Sequence, residues 1–283
     1  MTTKKWVLAA AALGIVLTAA PAAADVQPKI VGGTPAGTDD NPWMMWITDA
    51  PDAPEGDTLH CGGTLVTPTK VVTAAHCVDE HPADRMHVVG GRTDLRTDDG
   101  EVRGVVSVWK HPGWQHTPPP PGELPRMHPD VAVVTLDRPM PFPALPLATV
   151  EDAALYRAGA PARILGWGVT DPDKTYPPDP GEPLPTTSRI LQQAQLPITE
   201  DEPCLAASES DPYHAVTFDP RQYVCTRYEM GEVTTHGGDS GGPLVAGGKL
   251  IGVAAGGTYG LHANYSTFTE LITFSEQIQE QLR

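Results

Sequence analysis

Gly237-Gly238-Asp239-Ser240-Gly241-Gly242-Pro243-Leu244 (GGDSGGPL) sets one serine among glycines, with an acid immediately before it. An alcohol is a poor nucleophile at neutral pH and needs a base within hydrogen-bond reach. Upstream, residues 73–77 read TAAHC and residues 128–136 read HPDVAVVTL. The histidine of the first supplies a base. The aspartate of the second supplies a partner that fixes its tautomer and stabilises the imidazolium. His76, Asp130 and Ser240 are therefore candidate base, orienter and nucleophile, in that chain order.

Working outward from these motifs, the chain is a series of short apolar runs. They are Trp43 to Ile47, Gly63 to Val66, Lys70 to Thr73, Met86 to Val89, Val102 to Trp109, Val131 to Leu136, Ala162 to Val169 and Leu244 to Ala255. Most are Val-rich and bounded by Gly, Pro or Asp, which is the strand signal. Apolar residues step by three or four only near the end, at Leu271, Phe274, Ile278 and Leu282, which predicts a helix within Phe268 to Leu282. The expected class is all-β and antiparallel, closed by a C-terminal helix. Residues 117–125 (TPPPPGELP) and 171–185 (DPDKTYPPDPGEPLP) lack apolar alternation and read as stiff surface loops. Residues 49–57 read as a third, acidic loop.

The 283 residues carry 19 Lys and Arg against 35 Asp and Glu, a formal charge of −16. That balance argues against nucleic acid or an anionic membrane as partner. Residues 1–24 read as a signal peptide. Lys4-Lys5 form its positive start, Trp6 to Ala20 its apolar stretch, and Ala22-Ala23-Ala24 its small-residue cleavage site. The apolar stretch is too short for a comfortable span, so the mature chain is expected to be secreted and off the membrane. Four cysteines in an exported chain read as two disulfides, with three connectivities open.

From Ile30 onward the chain resembles the secreted trypsin/chymotrypsin-like serine peptidases. The pieces that carry the resemblance are IVGG at Ile30, CGGTLV at Cys61, TAAHC at Thr73, DVAVVTL at Asp130, GWG at Gly166 and GGDSGGPL at Gly237. Each is weak alone, and six in order are specific. The resemblance implies two packed six-stranded antiparallel β-barrels with the site between them, a peptidase domain over 30–283, and a barrel boundary near 143–158. It makes Ser240 the nucleophile, His76 the base, Asp130 its orienter, and the Gly238 and Ser240 N–H groups the oxyanion hole. It also pairs Cys61 with Cys77 and Cys204 with Cys225.

Residues 25–29 then read as a short activation propeptide, cut after Lys29 by a trypsin-like activating protease. The resemblance implies that the freed Ile30 amine pairs with Asp239. A buried ammonium and carboxylate are tolerable only as a pair. The amine titrates near ~8 when free, and pairing raises it, so the active form is expected to fade at high pH.

The chain departs from the family pattern around specificity. Thr234, six residues before Ser240, stands where trypsin-like members carry Asp at the floor of the substrate pocket. A neutral floor does not repay the desolvation of a substrate cation, so an uncharged residue before the scissile bond is expected, large and apolar. Gly257 on the pocket wall leaves room, and Ser266 lines the back. Glu229 or Glu232 is the alternative source of a charged pocket. His236 replaces a cysteine of the usual wall bridge and reads as a loop residue. Ala255 replaces the serine that commonly supports the aspartate, and Gly256 the usual aromatic beside the substrate.

No cofactor and no metal are expected. The histidines lack zinc spacing, and Asp98, Asp99 and Glu101 read as a solvated acidic turn rather than a calcium site. A monomer acting on protein or peptide substrates is expected. The second reading is a non-enzymatic secreted binding protein with the same fold. An esterase of another fold fails on chain order, since those place the nucleophile first.

Overall fold

The computed structural model describes residue 30 and residues 32–52, 59–115, 128–170, 186–210, 218–227, 233–257 and 265–283. The expected leader, propeptide and proline-rich loops lie outside these residues, as does most of the acidic loop.

Strand β1 (Thr34–Pro35) precedes a closed barrel built from β2 (Met44–Thr48), β3 (Cys61–Thr67), β4 (Lys70–Thr73), β5 (His87–Gly90), β6 (Glu101–Lys110) and β7 (Ala132–Leu136). All its pairings are antiparallel, in the order β2-β3-β4-β7-β6-β5. On its strands Met44, Trp46, Leu65, Val71 and Val134 are fully buried. Closure removes the unpaired edges that an open sheet leaves to other chains.

The second half comprises β8 (Pro161–Gly166), β9 (Gln192–Pro197), helix α1 (Asp201–Ser210), β10 (Tyr223–Arg227), β11 (Pro243–Ala246), β12 (Lys249–Gly257), β13 (Tyr265–Glu270) and helix α2 (Ser275–Gln281). Its strands form a seven-stranded sheet in the order β1-β9-β8-β11-β12-β13-β10. A bridge between Ile198 and Thr226, just beyond β9 and within β10, brings the sheet nearly round on itself. The strands β9-β8-β11-β12-β13-β10 form the expected second six-stranded barrel, nearly closed by this bridge. β1 crosses over from ahead of the first barrel to pair with β9 and supplies the seventh strand.

The C-terminal helix is shorter than its apolar spacing predicted. Phe268 lies in β13, between β10 and β12, and Leu271 and Phe274 are buried in the turns that follow. Within the helix itself Ser275 and Ile278 are buried, and Ile278 is its apolar contribution to the core. β-Branched Thr267 and Thr269 favour the extended backbone there.

Ile30 is fully buried in the second-half core with Ala162, Ile164 and Phe268. Its φ is +46°, an outlier for a β-branched residue. The disulfides are Cys61–Cys77 and Cys204–Cys225. Among the described residues no helix is long and apolar enough to cross a membrane.

Candidate active site

The register of the first barrel brings His76 and Asp130 together. β4 and β7 run antiparallel with Thr73 opposite Ala132. His76 follows Thr73 by three residues and Asp130 precedes Ala132 by two, so both leave the barrel at the same rim. His76 Nδ1 lies 2.6 Å from Asp130 Oδ2, and the His76 backbone N–H donates to Asp130 Oδ1 at 2.9 Å. The disulfide partner Cys77 follows His76 directly and ties its turn to β3. Closing a loop of this size is worth roughly 3 kcal/mol in the chain-entropy model.

Asp130 is buried, while His76 keeps about a third of its side chain exposed, at 31 %. Packing around the imidazole lowers its pKa. The charge and hydrogen bond of Asp130 outweigh that and hold it above the ordinary histidine value.

Ser240 comes from the second half, in the tight turn before β11. Asp239 N–H donates to His236 O at 3.0 Å and Gly242 N–H to Asp239 O at 3.0 Å. Two hydrogen bonds connect this turn to the His76 segment. Gly62 N–H donates to Ser240 O at 2.7 Å, and Thr73 Oγ1 donates to Gly62 O at 2.8 Å. Thr73 then leads through two alanines to His76. A Cβ on Gly62 would come within 2.7 Å of Gly242 Cα, so glycine is needed for the two halves to meet this closely.

No hydrogen bond joins Ser240 Oγ to the His76 ring among the described residues. His76 Nε2 instead lies 3.7 Å from Cys77 Sγ. Such contacts are commonly loose before substrate binds. The Gly238 and Ser240 N–H groups donate to no described residue, and both residues are partly exposed. Gly238 has φ +91°, a backbone that side chains resist.

Asp239 points away from solvent. Its Oδ1 accepts the Gly168 N–H and its Oδ2 the His236 N–H, each at 2.9 Å. No cation pairs with it among the described residues. Burial pushes its carboxyl up to about 7 against the two backbone hydrogen bonds.

The three expected pocket residues also meet. Ser266 pairs with Gly257 across β12 and β13. Its Oγ lies 3.1 Å from Thr234 Oγ1 and accepts the Thr235 N–H at 2.9 Å. Glu229, Glu232 and Lys29 lie outside the described residues. His236 lies in a loop as expected, but buried, with Nδ1 accepting the Gly237 N–H at 2.8 Å.

The acidic turn is engaged by arginines. Arg92 is buried and donates to Asp99 O and Pro51 O, both at 2.8 Å, while Arg103 holds Glu101 at 2.7 Å. Cys61, His76 and Cys77 cluster closely. The two sulfurs are bonded to each other, so they offer no thiolate to a metal.

Sequence reasoning missed Gly62 and Thr73 as links to the serine turn, and Tyr223 and Thr269 beside Asp130. The GWG at Gly166 was visible, but not that its glycines make room for Asp239.

A family model described as Trypsin matches residues 30–278. A trypsin of Saccharopolyspora erythraea is 38% identical over 229 residues, covering 81% of this chain and 86% of that protein. A trypsin-like protease of Streptomyces glaucescens is 28% identical over 255 residues, covering 86% and 80%. Among solved structures, mouse neuropsin, a serine protease, superposes with a TM-score of 0.69 at 22% identity, covering 89% of this chain and 99% of its own. The fold it shares is the chymotrypsin fold.

Proposed function

The chain belongs to the trypsin family of serine peptidases, and from that premise we propose that it is a secreted endopeptidase that hydrolyses peptide bonds through an acyl-enzyme on Ser240. In this reading His76 takes the Ser240 proton and returns it to the leaving amine. Asp130 holds and stabilises the imidazolium. The Gly238 and Ser240 N–H groups receive the carbonyl oxygen as it gains charge, a contribution of roughly 10²–10³ in rate per donor. The observation that carries the reading is the His76–Asp130 pair at 2.6 Å, bonded through Thr73 and Gly62 to the Ser240 turn.

The same site supports activation by cleavage after Lys29. Asp239 is a buried carboxylate lacking a described cation, and the amine freed at Ile30 supplies one. The positive φ of Ile30 costs about 1–3 kcal/mol, and cutting the peptide bond before it relieves that constraint. Thr234 at the floor and Ser266 at the back leave the substrate pocket neutral, which favours uncharged residues before the scissile bond.

The test is cleavage of a diverse peptide library by protein beginning at Ile30, with Ser240→Ala as control. Ser240-dependent cuts after Leu, Phe, Tyr or Met are expected. Cuts after Arg or Lys would overturn the neutral pocket. No cuts by correctly folded protein would turn the reading to a binding protein.

A further inference from the structure

The Asp130 carboxylate receives both of its described hydrogen bonds from His76, the residue it would orient. Its position has to come from the main chain of residues 128–130, and that main chain is gripped from the second half of the molecule. Tyr223 in β10 and Thr269 in β13 are directly opposed in the antiparallel ladder. The Tyr223 hydroxyl donates to His128 O, and Thr269 Oγ1 donates to Asp130 O at 2.8 Å.

We propose that the Tyr223–Thr269 cross-strand pair positions the His76–Asp130 couple, setting it against the Ser240 turn by gripping the His128 and Asp130 carbonyls. The inference rests on the catalytic reading above. Both side chains are buried, Tyr223 at 2 % and Thr269 at 0 % exposure, so their donors have no competing water. Burial, together with the neighbouring Asp130 charge, keeps the Tyr223 phenol protonated, so it remains a donor across the working range.

Neither residue touches the reacting atoms, so both are positioning residues, and the test must separate positioning from stability. Tyr223→Phe keeps the ring and removes only the hydroxyl, and Thr269→Val is close to isosteric. Tyr156→Phe is the control. It deletes the tyrosine-to-carbonyl bond of a half-buried ring, Tyr156 Oη to Ile251 O at 2.7 Å, and the bond that this oxygen accepts from the Ile272 N–H at 3.2 Å. The His76 imidazole is titrated by NMR in each protein, and kcat and KM are measured beside it. Asp130 is the charged group acting on that imidazole, so its displacement reads directly.

Tyr223→Phe and Thr269→Val should each move the His76 titration to lower pH. Each should cut kcat roughly ten- to a hundredfold with KM little changed, the size of effect that small misplacements produce. Tyr156→Phe should lower thermal stability and leave the His76 titration in place. An unmoved His76 titration in Tyr223→Phe, with only a stability loss like the control's, overturns the proposal. Because the titration needs no turnover, it decides the positioning role even if the wild-type protein shows no Ser240-dependent cleavage, the result that defeats the catalytic reading.

Discussion

Gly168 brings its backbone to within 2.9 Å of the Asp239 carboxylate, and no side chain at either residue 166 or 168 would allow that approach. A Cβ built on Gly166 or on Gly168 runs into Asp239 Oδ1. The GWG motif is thus one wall of the cavity that holds the acid preceding Ser240. Gly168→Ala should cost about 1–3 kcal/mol through overpacking and lower kcat by displacing the serine turn. Chemical denaturation and steady-state kinetics check both. An unchanged kcat would show that Asp239 does not set the turn.

The uncleaved chain should lose stability as pH rises from about 4 to about 7. Asp239 titrates near 7 when folded, against an ordinary value of 3.8. Between those values the unfolded chain has released the proton and the native chain retains it, so raising the pH favours unfolding. A gap of about three units corresponds to about 4 kcal/mol at most. In the protein beginning at Ile30, pairing of the carboxylate with the freed amine should abolish this decline. Asp239→Asn should remove the decline from the uncleaved chain and depress activity in the processed one. Denaturant midpoints measured across this range in both forms check the prediction.

How much of this was legible in the sequence depended on whether function and packing spoke through the same residues. His76, Asp130 and Ser240 stand in motifs, and β4 was bounded correctly because Lys70–Thr73 is a short β-branched run between turns. β9 was not, because its residues Gln192, Gln193 and Gln195 hide the alternation that its pairing with β8 imposes. Gln192 is fully buried and finds its partners in Ile190 O and Ser188 Oγ. The end of β13, Phe268 to Glu270, falls within the stretch whose apolar steps predict a helix, since those steps continue into Leu271 and Phe274. Tyr223 and Thr269 carry no motif, and only the register of two strands far apart in sequence turns both hydroxyls toward Asp130.

Activity of the processed enzyme should rise with pH through the His76 titration, because the base must be neutral. Asp130 raises that pKa above 6.5, so the acid limb of kcat/KM should lie above 6.5 as well. Asp130→Asn leaves the packing that lowers the pKa and removes the charge that raises it. The limb should move below 6.5, and kcat should fall about 10⁴-fold, the cost of the wrong tautomer in triads of this kind. The pH–rate profiles of the two proteins test this.

Thr234→Asp should convert the pocket. The new carboxylate would stand next to Ser266 Oγ, which lies 3.1 Å from the present Thr234 hydroxyl. Cleavage after Arg and Lys should appear and cleavage after apolar residues should decline. The variant should be less stable without substrate, by about 1–3 kcal/mol or more, because an unpaired buried charge is costly. A peptide-library profile unchanged from wild type would remove Thr234 from the pocket.

The most direct test of the central claim is covalent labelling with a fluorophosphonate, which requires an activated serine. It is done on the intact chain, on the chain cut after Lys29, and on the His76→Ala and Ser240→Ala variants of the cut chain, with the adduct located by peptide mass mapping. One adduct is expected, on Ser240, formed rapidly only after the cut and absent from both variants. A folded, correctly cut chain that takes no adduct, or takes one elsewhere, contradicts it.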